Sequence, residues 1–296
     1  FMTDVLYRAM PPFYEDIENA IGRVYGVEAQ NVRIPGIVRF ASWVGGDMDG
    51  NPNVNAKTIR STLARQRALI LDLYYRECAS ISAKLSQSTS RVGVDERILQ
   101  RIDHYRGMFQ NAHHAVPARH RDMPYRVYLR LVQERLQATY DDDAYPYEKA
   151  SQLHADIALL AESLAENNGE HAGLFSVRRL LRRIETFGFH FMTLDVRQDA
   201  LVLRKVTGEL LGIDDWLDLE PSARIDRIVE AIRGRDSVPT SQSVLARKTL
   251  AVFQAIAFCR RKYGKHSIGP FIVSMTEGAD DLLSVLLLAN WSELHN

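Results

Sequence analysis

Three short runs put residues suited to anion chemistry directly after apolar, β-prone segments. The first is Trp43-Val44-Gly45-Gly46-Asp47-Met48-Asp49-Gly50-Asn51-Pro52, the second Asp195-Val196-Arg197-Gln198-Asp199, and the third Ser274-Met275-Thr276-Glu277-Gly278. An arginine that closes an apolar strand can clamp a phosphate or carboxylate through two parallel N–H groups. Arg197 is so placed, with Asp195 two residues earlier on the same face. The same pattern also suits a structural ion pair with a neighbouring carboxylate, and both readings stand at this level.

The glycine-rich run has its own alternatives. Asp47-x-Asp49-Gly-Asn looks like the front of a calcium loop, but an EF-hand needs Gly at its sixth place and Glu at its twelfth. Those places hold Pro52 and Thr58, which excludes it. In one remaining reading the glycines let N–H groups approach an anion, or let another strand come close. In the other the run is a tight turn whose Asp and Asn side chains satisfy backbone donors before the next helix. On spacing alone the tight turn is the simpler reading.

Other polar clusters have blander expectations. His113, His114 and His120 share a loop with Arg119 and Arg121, and without further ligands they read as a solvated basic loop, not a metal site. His190 falls inside a β-prone run and reads as a satisfied core histidine. Arg178, Arg179, Arg182 and Arg183 lie across a helix with an apolar opposite side, as a wet face or a surface for an anionic effector or partner subunit. Cys78 and Cys259 sit in helical apolar patterns and are expected to be buried free thiols of a reducing cytosol.

The elements that must position these residues are mostly helical. Ile59, Leu63, Ile70, Tyr74, Ile81 and Leu85 mark a long helix from about 56 to 86. Leu153, Ile157, Leu160 and Leu164 form a stripe that stops before Gly169, and Leu174, Val177, Leu181 and Ile184 one that stops at Gly188. Ile225, Ile228 and Ile232 lie between Pro221 and Gly234, a start-and-stop pair for a helix. Segments 93–111, 125–139, 198–212 and 243–263 read the same way, about ten helices in all. Strands are expected near 37–44, 189–196 and 270–275, each separated from the next by helices. Such spacing forbids hairpins and favours parallel pairing. The predicted fold is mainly α with a few parallel strands, part of a TIM-like α/β barrel with large helical insertions, and the whole of 1–296 is read as one central piece of a larger protein. Stretches 112–124, 141–147 and 235–242 read as loops.

Composition narrows the function classes. Lys and Arg number 37 against 37 Asp and Glu, so net charge gives no argument for nucleic acid or an anionic membrane. No stretch approaches the roughly 20 apolar residues of a membrane span, and Phe1-Met2-Thr3-Asp4 is not a signal peptide. The chain enters mid-pattern at Val5-Leu6-Tyr7-Arg8, as an excised piece would.

Four of these runs resemble one family. Residues 40–52, Phe-Ala-Ser-Trp-Val-Gly-Gly-Asp-Met-Asp-Gly-Asn-Pro, are similar to the F-x-S-W-x-G-G-D-R-D-G-N-P signature of phosphoenolpyruvate carboxylases. Leu194-Asp195-Val196-Arg197-Gln198 resembles the family's L-D-I-R-Q. Ile272-Val273-Ser274-Met275 with Asp280-Asp281-Leu282-Leu283-Ser284-Val285 resembles its I-S-M and S-D-V-L-x-V, and Leu6-Tyr7-Arg8-Ala9-Met10-Pro11 its L-W-R-A-V-P.

The resemblance implies a cytoplasmic homotetrameric lyase with an eight-stranded barrel. It would form oxaloacetate and phosphate from phosphoenolpyruvate and bicarbonate with Mg²⁺ or Mn²⁺. It implies that Arg197 binds the substrate phosphate, and it places Trp43, Gly45, Gly46, Asp47, Asp49, Asn51, Asp195, Gln198 and Ser274 on the active-site wall. Departures are as informative. Met48 replaces the signature's Arg, and Ala200 and Leu203 stand where the family often has Ser and His. The T-A-H-P-T, F-E-T and Y-S-D-S motifs and the glycine–arginine loop, which carry the catalytic histidine and metal ligands, do not occur in these 296 residues. No catalytic residue and no metal ligand is therefore expected here, and the piece alone is expected to be inactive. The competing expectation is a non-catalytic helical module that binds an anionic effector or a partner subunit.

Overall fold

Helix-forming stripes account for most of the chain in the computed structural model, which describes residues 1–26, 34–90, 92–114, 116–234, 238 and 242–294. The α-helices in chain order are α1 (Tyr7–Tyr25), α2 (Ala56–Lys84), α3 (Glu96–Met108), α4 (Gln110–His114), α5 (Pro124–Asp141), α6 (Ala150–Glu166), α7 (Leu174–Phe187), α8 (Ala200–Leu211), α9 (Pro221–Gly234), α10 (Val244–Tyr263) and α11 (Ala279–Trp291). The strands are β1 (Ala41–Ser42), β2 (Thr193–Asp199) and β3 (Ile268–Ser274). The chain is therefore mainly helical with a small three-stranded sheet. Most of the expected loop 235–242 and the side chain of His113 lie outside the described residues. Contacts divide the chain into two units, Phe1–Arg39 with Arg67–Phe191, and Phe40–Gln66 with Met192–Asn296.

The first unit is all-helical, built from α1, the later part of α2 and α3 to α7. The expected stripe of α6 is buried throughout, while in α7 Leu180 takes the buried place expected for Leu181. A polar knot lies at its centre. Asp156 is fully buried and accepts from Tyr105 Oη at 2.5 Å, Tyr147 Oη at 2.6 Å and Arg101 Nη1 at 2.7 Å. A buried carboxylate is tolerated only when hydrogen-bonded and paired in this way. Three of the four arginines of the α7 run are paired, while Arg178 is exposed as expected of a wet face. Arg179 pairs with Glu15 at 2.6 Å, Arg182 with Glu18 at 3.0 Å and Glu185 at 2.9 Å, and Arg183 with Glu77.

The second unit holds the sheet, whose order is β1-β2-β3 with both pairings parallel. Leu194 and Val196 of β2 face a core of Ile59, Leu63, Val252, Ile256, Cys259 and Ile268 supplied by α2, α10 and β3. Phe271 of β3 stacks on Phe253 of α10 at 5.0 Å. Because side chains alternate along a strand, Thr193, Asp195 and Arg197 stand on the opposite face.

The strand limits differ from expectation: β1 is shorter at both ends, β3 starts two residues earlier and ends one earlier, and β2 starts later and runs on to Asp199. Arg197, Gln198 and Asp199 therefore lie within the strand, where they pair with Ile272, Val273 and Ser274 of β3. Residues 189–192 do not pair, because Gly188 (φ 52°) and Phe191 (φ 64°) turn the chain off α7, and Phe191 N–H bonds back to the Phe187 carbonyl at 2.9 Å. His190 accordingly lies in this turn, not in a strand. Residues 37–40 lie before β1 because the N–H groups of Ile37 and Val38 donate to Tyr14 Oη at 2.9 and 3.2 Å. Both cysteines are buried free thiols, and burial pushes Cys259 up to about 11.

Candidate functional site

The three chemistry-bearing runs meet at the carboxyl ends of the parallel strands, all within the second unit. After β1 the chain makes a tight turn. The Trp43 carbonyl accepts from Gly46 N–H at 2.9 Å and Asp47 N–H at 3.1 Å, and Gly45 adopts φ 91°. The chain then rejoins the sheet beside β2. Arg197 N–H donates to the Gly46 carbonyl at 3.0 Å, and Met48 N–H donates to the Arg197 carbonyl at 2.9 Å. A Cβ on Gly46 would lie 2.1 Å from the Asp195 carbonyl oxygen, so this approach requires glycine.

Both sequence readings of the turn are thus partly realised. The glycines serve close approach of a strand, while the polar side chains serve local donors. Asp47 Oδ1 accepts from Asp49 N–H at 3.3 Å, and Asn51 Oδ1 from Asn53 N–H at 3.1 Å. Asn55, which sequence reasoning passed over, caps α2 by accepting from Lys57 N–H at 2.9 Å and Thr58 N–H at 3.3 Å. The N–H groups of Gly46, Asp47, Met48, Asp49 and Asn51 all have partners within the chain, so these five do not cradle an anion.

Side chains decide the character of the site. Arg197 Nε donates to Asp47 Oδ1 at 2.9 Å and Arg197 Nη2 lies 3.1 Å from Asp49 Oδ2. Its guanidinium sits over the Trp43 ring at 5.2 Å, a cation–π contact that also restrains it. The arginine side chain is 28% exposed and its carboxylate partners 31% and 26%. A guanidinium has five N–H donors, so Arg197 can keep both aspartates and still present N–H groups to a ligand.

The remaining candidates spread over the same strand ends. Gln198 Oε1 accepts from the N–H of Asp199 at 2.9 Å, and Ser274 Oγ donates to the Gln198 carbonyl at 3.3 Å. Asp195 Oδ1 is buried with no hydrogen-bond partner among the described residues, and a Cβ on Gly269 would come within 2.0 Å of it. Met48 packs half-buried against the core cluster that contains Ile59, Leu63 and Leu194. Where the signature has a charged side chain, this chain has an apolar one that packs against the core.

The family profile described as Phosphoenolpyruvate carboxylase matches residues 1–296. The chain belongs to the phosphoenolpyruvate carboxylase family. Among relatives bearing that name, one from Xanthomonas oryzae pv. oryzae (strain MAFF 311018) is 41% identical over 289 residues, 98% of this chain and 32% of that protein. One from Chromobacterium violaceum is 31% identical over 298 residues, 95% of this chain and 32% of the relative. A third, from Burkholderia mallei (strain SAVP1), is 31% identical over 305 residues, covering 94% and 30%. The chain thus spans about a third of the length of the relatives it matches. No helix among the described residues is long and apolar enough to cross a membrane.

A second feature of this phosphoenolpyruvate carboxylase family member lies in the first unit and was only half visible in sequence. A cleft of about 530 Å³ is lined by Arg119, His120, Arg126 and Arg130 together with Ser82 and Gln133. From sequence the loop residues read as solvated. The missed contribution is the pair Arg126 and Arg130, four residues apart and so on one side of α5. Arg126 is oriented by donating to the carbonyls of Leu85 at 3.0 Å and Ala83 at 2.8 Å, and Arg130 pairs with Glu134 at 2.6 Å. Burial, then the neighbouring Arg126 and Arg119, push the His120 imidazole below its usual 6.5.

Proposed function

We propose that these residues form part of the active-site wall of a phosphoenolpyruvate carboxylase, with Arg197 binding the substrate phosphate. The observation that carries this reading is the part-exposed Arg197 guanidinium at the end of the central strand. It is held by Asp47 and Asp49 and backed by Trp43, with further N–H groups to offer. Asp47 and Asp49 fix the direction of the fork, and Trp43 shields one side of it from water. In a low-dielectric pocket such pre-oriented donors act more strongly on a phosphoryl oxygen than they would in water.

In this reading the sheet is one arc of an α/β barrel that further strands of a longer polypeptide complete. The charged face carrying Asp195 and Arg197 lines its interior. The whole enzyme would be a cytoplasmic homotetrameric lyase that forms oxaloacetate and phosphate from phosphoenolpyruvate and bicarbonate with Mg²⁺ or Mn²⁺. The described residues of the site do not fit the metal. Among those described, no group of three His, Cys, Asp or Glu is placed to hold an ion, and Asp47 and Asp49 are engaged by Arg197. No step through the metal is assigned to them.

Two measurements test the reading. In a coupled malate dehydrogenase assay the 296-residue chain should form no oxaloacetate, and turnover at an ordinary rate would overturn the placement of the site. In calorimetric titration with phosphoenolpyruvate, Arg197→Ala should lose a charge-assisted contact of about 1.5–3 kcal/mol. Equal affinity of wild type and variant would remove Arg197 from the site.

A second reading, that the chain binds an anionic effector, draws on the basic cleft of the first unit. Among the described residues its lining has three arginines and a histidine and no carboxylate, although Arg130 is paired with Glu134. Inorganic phosphate that protects Arg126 and Arg130 from phenylglyoxal would support it, and unchanged modification would count against it.

A further inference from the structure

We propose that Arg204 is a positioning residue that sets the loop at the carboxyl end of β3, acting through Asp281; its bearing on catalysis rests on the active-site reading above. Residues 275–278 belong to no helix or strand, and the loop contains Met275 in the left-handed region at φ 55°. The backbone N–H groups of Glu277 and Gly278 both donate to Asp281 Oδ2, at 2.9 and 3.3 Å. Asp281, in the first turn of α11, is fully buried. Arg204 on α8 grips that carboxylate with a two-pronged contact, Nε to Oδ1 at 2.5 Å and Nη2 to Oδ2 at 2.9 Å. Its third nitrogen, Nη1, lies 2.8 Å from the largely exposed Glu277 carboxylate. One guanidinium therefore holds both the acceptor of the loop's N–H groups and a side chain of the loop itself.

The placement links two strand ends. α8 follows β2 directly, with Asp199 capping it by accepting from Leu201 N–H at 2.8 Å. Asp199 is also the register partner of Ser274, the last residue of β3. Arg204 thus joins the helix that begins three residues after Arg197 to the loop that begins one residue after Ser274. An apolar pair of similar volume often matches or exceeds a buried ion pair in stability. What it lacks is the directed fork that fixes a carboxylate in one orientation. A second buried pair, Arg224 Nε to Asp280 Oδ2 at 2.7 Å, anchors the same turn of α11 from α9.

Residue-resolved amide hydrogen exchange on the 296-residue chain tests the clamp. Arg204→Lys keeps the charge and loses the fork. It is expected to speed exchange at Glu277 and Gly278 by about tenfold while that of Val196 in the sheet changes less than about twofold, the mark of a local opening. Unchanged exchange at the loop, or equal acceleration at all sites, would overturn the proposal. Should Arg204→Lys not fold, Glu277→Gln removes only the exposed contact and is expected to speed exchange at Glu277 about threefold; no change there would overturn it equally. Phosphoenolpyruvate affinity is measured alongside. A loss of about fivefold in Arg204→Lys supports the role at the site, since misplaced loops weaken charge-assisted contacts, and unchanged affinity refutes that role. A wild-type chain that does not bind phosphoenolpyruvate sinks the active-site reading, and the exchange result still decides the clamp.

Discussion

Arg197 and Asp47 are joined twice: their backbones form a parallel bridge, and Arg197 Nε donates to Asp47 Oδ1 at 2.9 Å. The double connection makes the glycine-rich turn an extension of the sheet, so the guanidinium direction is set by strand pairing as well as by charge. It also leaves the site with two carboxylates beside one cation before any anion arrives.

Asp47→Asn removes one of those charges while retaining the bridge. The pair is about a third exposed, so its loss should cost no more than about 1 kcal/mol of stability in a denaturant titration. Affinity for phosphoenolpyruvate should rise, because a competing negative charge has gone. A fall in affinity would show that Asp47 orients Arg197 more than it opposes the ligand.

Gly46→Ala should be a damaging small change in the turn. Its Cβ would lie 2.1 Å from the Asp195 carbonyl oxygen, and relieving the clash means separating the bridged strands, at about 1–3 kcal/mol. Gly50→Ala is the control, since nothing lies within 4 Å and only its φ of 64° is unfavourable. That change should cost about 1 kcal/mol. Denaturant midpoints in the reverse order would contradict the close-approach role of Gly46.

Acid should loosen the second unit through Asp281. Burial opposes its ionisation, but the Arg204 fork and the N–H groups of Glu277 and Gly278 outweigh burial and hold the carboxyl below its usual 3.8. A carboxyl lowered in the folded state contributes stability above its unfolded value, and the contribution fades as pH falls through the folded value. Melting temperatures measured from pH 5 to pH 2 should fall less steeply for Asp281→Asn than for wild type, and identical slopes would refute the assignment.

His120 gives a direct probe of the basic cleft. With its imidazole pushed below 6.5 by burial and by Arg126 and Arg119, its NMR titration midpoint should lie under the usual value. Inorganic phosphate in the cleft should move that midpoint upward, because a nearby anion favours the charged ring. A midpoint insensitive to phosphate would argue against an anion in the cleft.

The helices were legible because each carries its own record. Buried positions recur with the helical period along α2 and α6, and Gly188 stops α7 where expected. α1 was hidden, since Pro11 and Pro12 lie inside it and proline reads as a breaker. The limits of β1 and β2 were hidden for another reason. Tyr14 takes the N–H groups of Ile37 and Val38, and nothing in the local run 37–40 announces that distant partner.

By itself the amino-acid order determined the helical content, the parallel sense of the strands and, through its motifs, the family. These follow from local periodicity and from helices too long to allow hairpins. Arg197, expected just past its strand, lies within β2 because pairing with β3 continues to Asp199. Only the tertiary structure decided which groups meet: that Arg197 pairs with both Asp47 and Asp49, that Met48 packs against the core, and that Arg204 reaches across to Asp281. The last partners lie 77 positions apart. Coulomb attraction depends on distance in space, not along the chain, so folding had to bring them together before the pairing could be read.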